Sequence, residues 1–153
     1  MNKTKLIVLN DFPSAQIFSK ESLLCYDSIL DKNAAFKKWS RSFKFKIALK
    51  SGEKLKTLDS LQEMLKKMNQ LDLPQTANFT FISVGGGSVG DFTGFLASIY
   101  LRGRQLIHIP STWLSAIDSS HGGKNGLNLF NDKNQLGTVY PAQKNFLVKK
   151  LLM

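Results

Sequence analysis

A chain of 153 residues that is 42% hydrophobic and carries a net charge of +10 is long enough to bury roughly 70% of its unfolded surface in one core. No run approaches the ~18–20 apolar residues of a membrane span, the apolar part of residues 1–10 is too short for a secretory signal, and the single cysteine fits a reducing compartment, so a cytoplasmic protein with no membrane partner is expected. The basic residues are scattered without a stripe, a repeat or an interleaved aromatic platform, which argues against nucleic acid as a partner.

Along the chain, β-branched and aromatic runs alternate with segments of helical periodicity. Strands are expected at 6–9, 23–26, 45–49, 79–84, 105–109 and 146–148. That order predicts an α/β fold with a parallel, Rossmann-like sheet covered on both faces. Cys25 falls in the second run, where a buried, inert thiol is the plain expectation. A helix is expected over 54–70 with Leu55, Leu58, Leu61, Leu65 and Met68 as its core face, ended by the loop Leu73-Pro74-Gln75. The fourth strand runs into Phe81-Ile-Ser-Val-Gly-Gly-Gly-Ser-Val-Gly-Asp91, and a helix follows with Phe92, Phe95, Leu96 and Ile99 on one face. Glycine serves that junction in two ways. It permits positive φ in the turn, and its missing Cβ lets backbone N–H groups meet phosphate oxygens at the positive end of the helix dipole. Gly85, Gly87 and Gly90 have the G-x-G-x-x-G spacing of dinucleotide folds, although Pro110-Ser111-Thr112 stands where an acidic residue is usual. The competing reading is a glycine-rich turn with Ser88 and Asp91 as a capping pair. His108, inside an apolar run, reads as a core or cleft histidine.

The next informative stretch is Asp118-Ser-Ser-His-Gly-Gly-Lys-Asn-Gly-Leu-Asn128, followed by Asp132-Lys-Asn-Gln-Leu-Gly137. Lysines beside glycine pairs, with Asn and Asp nearby, set ammonium and amide donors on open backbone, which suits a phosphorylated, polyhydroxylated substrate. In order, GGGSVGD, YLRG, PSTWLSAIDSSHGGKNGLN and DKNQLGTVY resemble the N-terminal half of the 3-dehydroquinate synthase family. Ser51-Gly-Glu-Lys-Leu-Lys56 and Leu24-Cys-Tyr-Asp27 resemble earlier elements of the same half.

The resemblance implies a role for each matching position. Gly86, Gly87, Ser88 and Asp91 would meet the diphosphate and ribose of NAD, Ser111 and Thr112 the nicotinamide, and Asp27, Glu53 and Lys56 the adenosine end. Asp118, Lys124 and Asn134 would contact substrate, with Lys133 between cofactor and substrate. Arg102 would reach the substrate phosphate of a neighbouring subunit, implying a homodimer. No metal ligand is expected within 1–153. A divalent metal, zinc or cobalt, would come with a helical C-terminal domain that follows in the family, so the chain alone is expected to be inactive. The implied reaction converts 3-deoxy-arabino-heptulosonate 7-phosphate to 3-dehydroquinate. NAD transiently oxidises a ring hydroxyl, phosphate leaves by β-elimination, the hydride returns, and an aldol step closes the carbocycle. Ser51, His121, Asn125 and Asp132 depart from the family pattern. The alternatives are another sugar-phosphate cyclase or a non-catalytic nucleotide-binding fragment.

Overall fold

The computed structural model describes residues 4–119 and 122–152. Six parallel strands form the central sheet: β1 (Lys5–Leu9), β2 (Ser22–Asp27), β3 (Phe45–Leu49), β4 (Thr80–Gly85), β5 (Gln105–Pro110) and β8 (Lys144–Val148), in the order β1-β8-β5-β4-β2-β3. All six expected strands are present, with ends displaced by no more than two residues. Every residue of β2 and β4 is buried, as strands covered on both faces must be. On one face, Leu23, Phe81 and Leu106 pack under α2 (Leu58–Gln70) and α3 (Gly87–Ile99). On the other, Leu24, Ile82, Ile107 and Phe146 pack under α1 (Ala34–Ser40) and an aromatic group of Phe18, Phe36, Trp39 and Phe43. Each fully buried phenylalanine of this kind contributes roughly 1.5–3 kcal/mol of transfer free energy.

The expected helix over 54–70 is two pieces. A short turn over Glu53–Leu55 precedes Lys56, whose φ of −83° and ψ of 53° leave the helix, and Thr57 then caps α2 by accepting from the Ser60 N–H at 3.1 Å. The buried face of α2 is Leu61, Met64 and Met68, whereas Leu58 and Leu65 are exposed. The methionines, not these leucines, join the core cluster that holds Phe45, Ile47 and Leu49 of β3. In α3, Phe92 and Leu96 are buried as expected, and Ile99, at the open end, is exposed.

The glycine-rich stretch after residue 122 is not open backbone. It folds as an antiparallel hairpin, β6 (Lys124–Leu129) with β7 (Asp132–Val139), irregular between Leu127 and Leu129, and it lies against α3 through buried Asn125 and Leu127. Glycine at 126 and 137 disguised it, since glycine counts against strands in sequence.

Candidate functional site

The crossover after β2 leads to β3 on one side of the sheet, and the crossover after β4 leads to β5 on the other. The direction therefore reverses at the carboxyl ends of β2 and β4, where open α/β sheets bind their ligands. Asp27 ends β2 and Gly85 ends β4. Asp27 is buried, and its Oδ1 accepts from the Ile29 N–H at 3.1 Å.

None of the glycines in the 85–90 turn has positive φ; among the described glycines that conformation occurs at Gly52, Gly103 and Gly123. The turn needs glycine for close approach instead. A Cβ on Gly85 would lie 2.7 Å from Val89 Cβ, whereas one on Gly86 would meet Thr112 Cγ2 at 3.4 Å. Gly86 starts α3 with no side-chain cap, and the first bond within the helix runs from Gly90 N–H to Gly86 C=O. The earlier N–H groups of the first turn have no carbonyl inside the helix to bond. Ser88 and Asp91 are not a capping pair: Ser88 Oγ accepts from the Gly52 N–H at 2.9 Å, and Asp91 binds Lys56. Across the turn, Ser111 N–H donates to Gly85 C=O at 2.9 Å, and Thr112 Oγ1 accepts from Ser115 N–H at 3.2 Å.

The centre of the site is Lys56. Its ammonium, buried with the rest of the side chain, donates to Asp91 Oδ2 at 2.8 Å and to Asn134 Oδ1 at 2.5 Å. Burial raises the Asp91 carboxyl above its ordinary value, and the bond from Lys56 only partly offsets this; the charges of Glu53 and Asp118 push the same way as burial. Glu53, by contrast, is held low, first by a bond from Asn128 Nδ2 at 2.9 Å and then by the nearby charges of Lys56 and Lys133. Asn128 Oδ1 accepts from the N–H of Asn134, which sits at φ +56°. A chain of contacts thus runs from Glu53 through Asn128 and Asn134 to Lys56 and Asp91. Lys56, expected at the adenosine end of NAD, thus touches Asn134, expected at the substrate. The backbone break at Lys56 is what turns its side chain inward.

Lys124 opens β6 and, with Asp91, Asn134 and Val139, lines a cleft of about 390 Å³. Lys133 and Asp118 are exposed around it, their charges reaching Glu53 and Asp91 respectively. Arg102 is not brought to this cluster. It follows the far end of α3, which at 13 residues is about 20 Å long, and it adopts a left-handed φ of 67°. His121 lies outside the described residues. His108 is buried on β5, and burial lowers its pKa to about 4. Cys25 is buried with its thiol pushed up to about 12, again chiefly by burial, so it is not a nucleophile. Among the described residues no group of three His, Cys, Asp or Glu side chains could hold a metal ion, and no helix is long and apolar enough to cross a membrane. Asn128 was missed in the sequence; only reading 124–129 as a strand would have singled it out.

Residues 46–153 match the family model described as 3-dehydroquinate synthase N-terminal. The chain belongs to this family. It is 42% identical over 114 residues to the 3-dehydroquinate synthase of Picrophilus torridus, an alignment covering 74% of this chain and 33% of that protein. Among solved structures, 2-epi-5-epi-valiolone synthase from Streptomyces hygroscopicus with NAD+ and Zn2+ bound superposes with a TM-score of 0.83 at 21% identity, covering 97% of this chain and 44% of that one. A 2-deoxy-scyllo-inosose synthase complexed with carbaglucose-6-phosphate, NAD+ and Co2+ gives 0.79 at 24% identity, covering 96% and 43%. These two likenesses show the fold. The chain spans about a third of the length of the curated relatives it matches.

Proposed function

We propose that this chain supplies the NAD-binding half of a 3-dehydroquinate synthase, a phosphate-eliminating lyase acting on 3-deoxy-arabino-heptulosonate 7-phosphate. The observation that carries the reading is the Lys56 bridge. It ties Asp91, on the helix that starts at the glycine turn, to Asn134, on the hairpin that carries Lys124. The helix that starts at a turn suited to a dinucleotide is thereby joined, through one buried ammonium, to the hairpin whose donors suit a sugar phosphate.

The residues fit NAD on two counts. The first-turn N–H groups of α3 start at the switch point without a capping side chain, and a Cβ at Gly86 would narrow the gap between that turn and Thr112, which it would meet at 3.4 Å. When bound, NAD supplies reversible hydride acceptance from a substrate hydroxyl, which acidifies the neighbouring C–H. The chain's own residues then bind and orient. Asp27 faces the adenosine ribose, Gly86, Gly87 and Ser88 the diphosphate, and Ser111 and Thr112 the nicotinamide. Lys124, Asn134 and Asp118 hold the substrate's hydroxyl and anionic groups, and Lys133 and Glu53 flank them. Lys56 keeps Asp91 and Asn134 in fixed relation. Arg102, remote from this cleft, is assigned to the phosphate site of a partner subunit in a homodimer. A divalent metal would take its ligands from outside the described residues, among which no group of three His, Cys, Asp or Glu side chains could hold one.

A second reading, a cyclase for another sugar phosphate, is favoured by Asn125 and His121 standing where the family pattern differs, and by the two superposing cyclases. Substrate competition in the full-length enzyme separates the two. The cofactor reading is tested by a pair of glycine variants. Gly86→Ala meets only ordinary contacts inside the protein, so it should keep the melting temperature. It should nonetheless weaken NAD by at least ~10-fold in calorimetry, as expected for the loss of one charge-assisted hydrogen bond. Gly85→Ala should instead destabilise the fold, because its methyl meets Val89. Unchanged NAD affinity in Gly86→Ala would sink the dinucleotide site.

A further inference from the structure

We propose that Asn125 is a positioning residue for Lys124, seated in a notch that Gly94 cuts into α3; the proposal rests on the substrate role given to Lys124 above. Asn125 is buried, and its Nδ2 donates to two backbone carbonyls, Gly123 at 3.1 Å and Tyr140 at 3.0 Å. Those are the residues where the two strands of the hairpin meet the rest of the chain, and Tyr140 N–H also donates to Gly123 C=O at 2.7 Å. The amide group has two N–H bonds to give and two carbonyls to receive them. A hydroxyl could serve one carbonyl, and a carboxylate would repel both. Tyr140 OH donates in turn to Arg104 C=O at 2.9 Å, fixing the clamp to the loop after α3.

The fit is set by Gly94. A Cβ at that position would lie 1.9 Å from Asn125 Oδ1 and 2.5 Å from its Cγ, so the amide fills volume that any other residue would claim. Gly123 is fixed as well: its φ is +61°, and a Cβ would fall 3.1 Å from Pro141. Lys124 stands between two anchored neighbours and, like Asn125, lines the cleft of Asp91 and Asn134. An ammonium on four flexible carbons cannot be aimed by its own rotamers. It can be aimed by a backbone that does not move, and Asn125 holds that backbone.

The test has a stability arm and an activity arm, both in the full-length protein. Gly94→Ala should lower the melting temperature sharply or prevent folding, and adding Asn125→Ala should restore folding by removing the amide the methyl strikes. A double variant no more stable than Gly94→Ala would overturn the notch. For activity, Asn125→Ala should cut kcat/KM for heptulosonate phosphate by roughly 10- to 100-fold, the scale of a ~1 Å misplacement, while NAD affinity by calorimetry stays near wild type. In a Lys124→Met background, Asn125→Ala should cost nothing further, because the group it positions is gone. Additive losses would overturn the proposal and assign Asn125 a general packing role. If Lys124→Met alone keeps full turnover, the substrate reading fails and Asn125's part in catalysis with it. The Gly94 and Asn125 stability coupling would then still stand, which separates the two failures.

Discussion

At the scale of single residues, burial and charge compete, and the outcome differs from one group to the next. Asp91 sits 2.8 Å from an ammonium yet keeps a raised pKa, because desolvation outweighs the ion pair. Lys124 lies at the other limit, exposed and without an ion pair among the described residues, so it is free to meet an anionic substrate. Lys124→Met keeps the length and removes the charge. Catalytic efficiency of the full-length enzyme should fall at least ~10-fold, since a charge-assisted hydrogen bond in a partly desolvated cleft is worth on the order of 1.5–3 kcal/mol. NAD affinity should hold, and a variant that loses NAD binding alone would refute the assignment. His108 offers a test by pH. Its pKa is about 4 in the folded chain against 6.5 unfolded, so between those values the unfolded state binds more protons. The stability it contributes is complete above pH 6.5 and is lost as pH falls toward 4, a change on the order of 3 kcal/mol. Urea melts of His108→Gln across that window should show a correspondingly shallower acid limb than wild type; parallel limbs would mean that His108 is not held neutral by burial.

At the scale of elements, the junction between the Glu53–Leu55 turn and α2 decides both a helix and a site. Lys56 leaves helical geometry, and Thr57 restarts the helix by capping it. Thr57→Ala should cost about 1 kcal/mol, a usual value for a lost cap. It should also loosen the Lys56 bridge, so denaturant midpoint and activity should fall together. A stability loss with activity intact would show that the bridge does not depend on the cap. The same junction shows what could be read in advance. The six strands were legible because buried parallel strands are runs of apolar, β-branched and aromatic residues, and Phe79–Gly85 or Leu106–Pro110 needs no context to be seen. The glycine turn was legible as a tight junction from strand to helix, though for one wrong reason, since close approach and not positive φ demands Gly85. The break at Lys56 was not legible, because Lys-Leu-Lys-Thr-Leu continues a helical period and the partner that Lys56 finds on leaving it, Asn134, is 78 residues away. The hairpin was hidden in the same manner: its glycines lower strand propensity, and only packing against α3, through Asn125 at Gly94, supplies what propensity lacks.

At the scale of the whole molecule, apolar surface and charge oppose one another. Trp113, Leu114 and Ile117 on the helical turn after β5 are 58, 75 and 74% exposed, and Phe130 and Val139 on the hairpin 94 and 65%. Leu6 and Val8 alternate outward on the edge strand β1. Trp113, Leu114 and Ile117 fall within five consecutive residues, a closer grouping than scattered surface side chains show. The net charge of +10 resists association by repulsion, but that repulsion is screened over about 10 Å at 0.1 M salt, whereas burial of apolar area is not. The 153-residue chain on its own should therefore self-associate, and more strongly as salt rises. Sedimentation at several concentrations in low and high salt measures this, and Leu114→Lys with Ile117→Lys should return it to monomer. The same preparation, given NAD, zinc and heptulosonate phosphate, should release no phosphate, since the chain spans only about a third of the length of its curated relatives. Turnover by the chain alone would place the whole active site within these residues, and a monodisperse chain at high salt would mean that the exposed apolar side chains are too dispersed to bind one another.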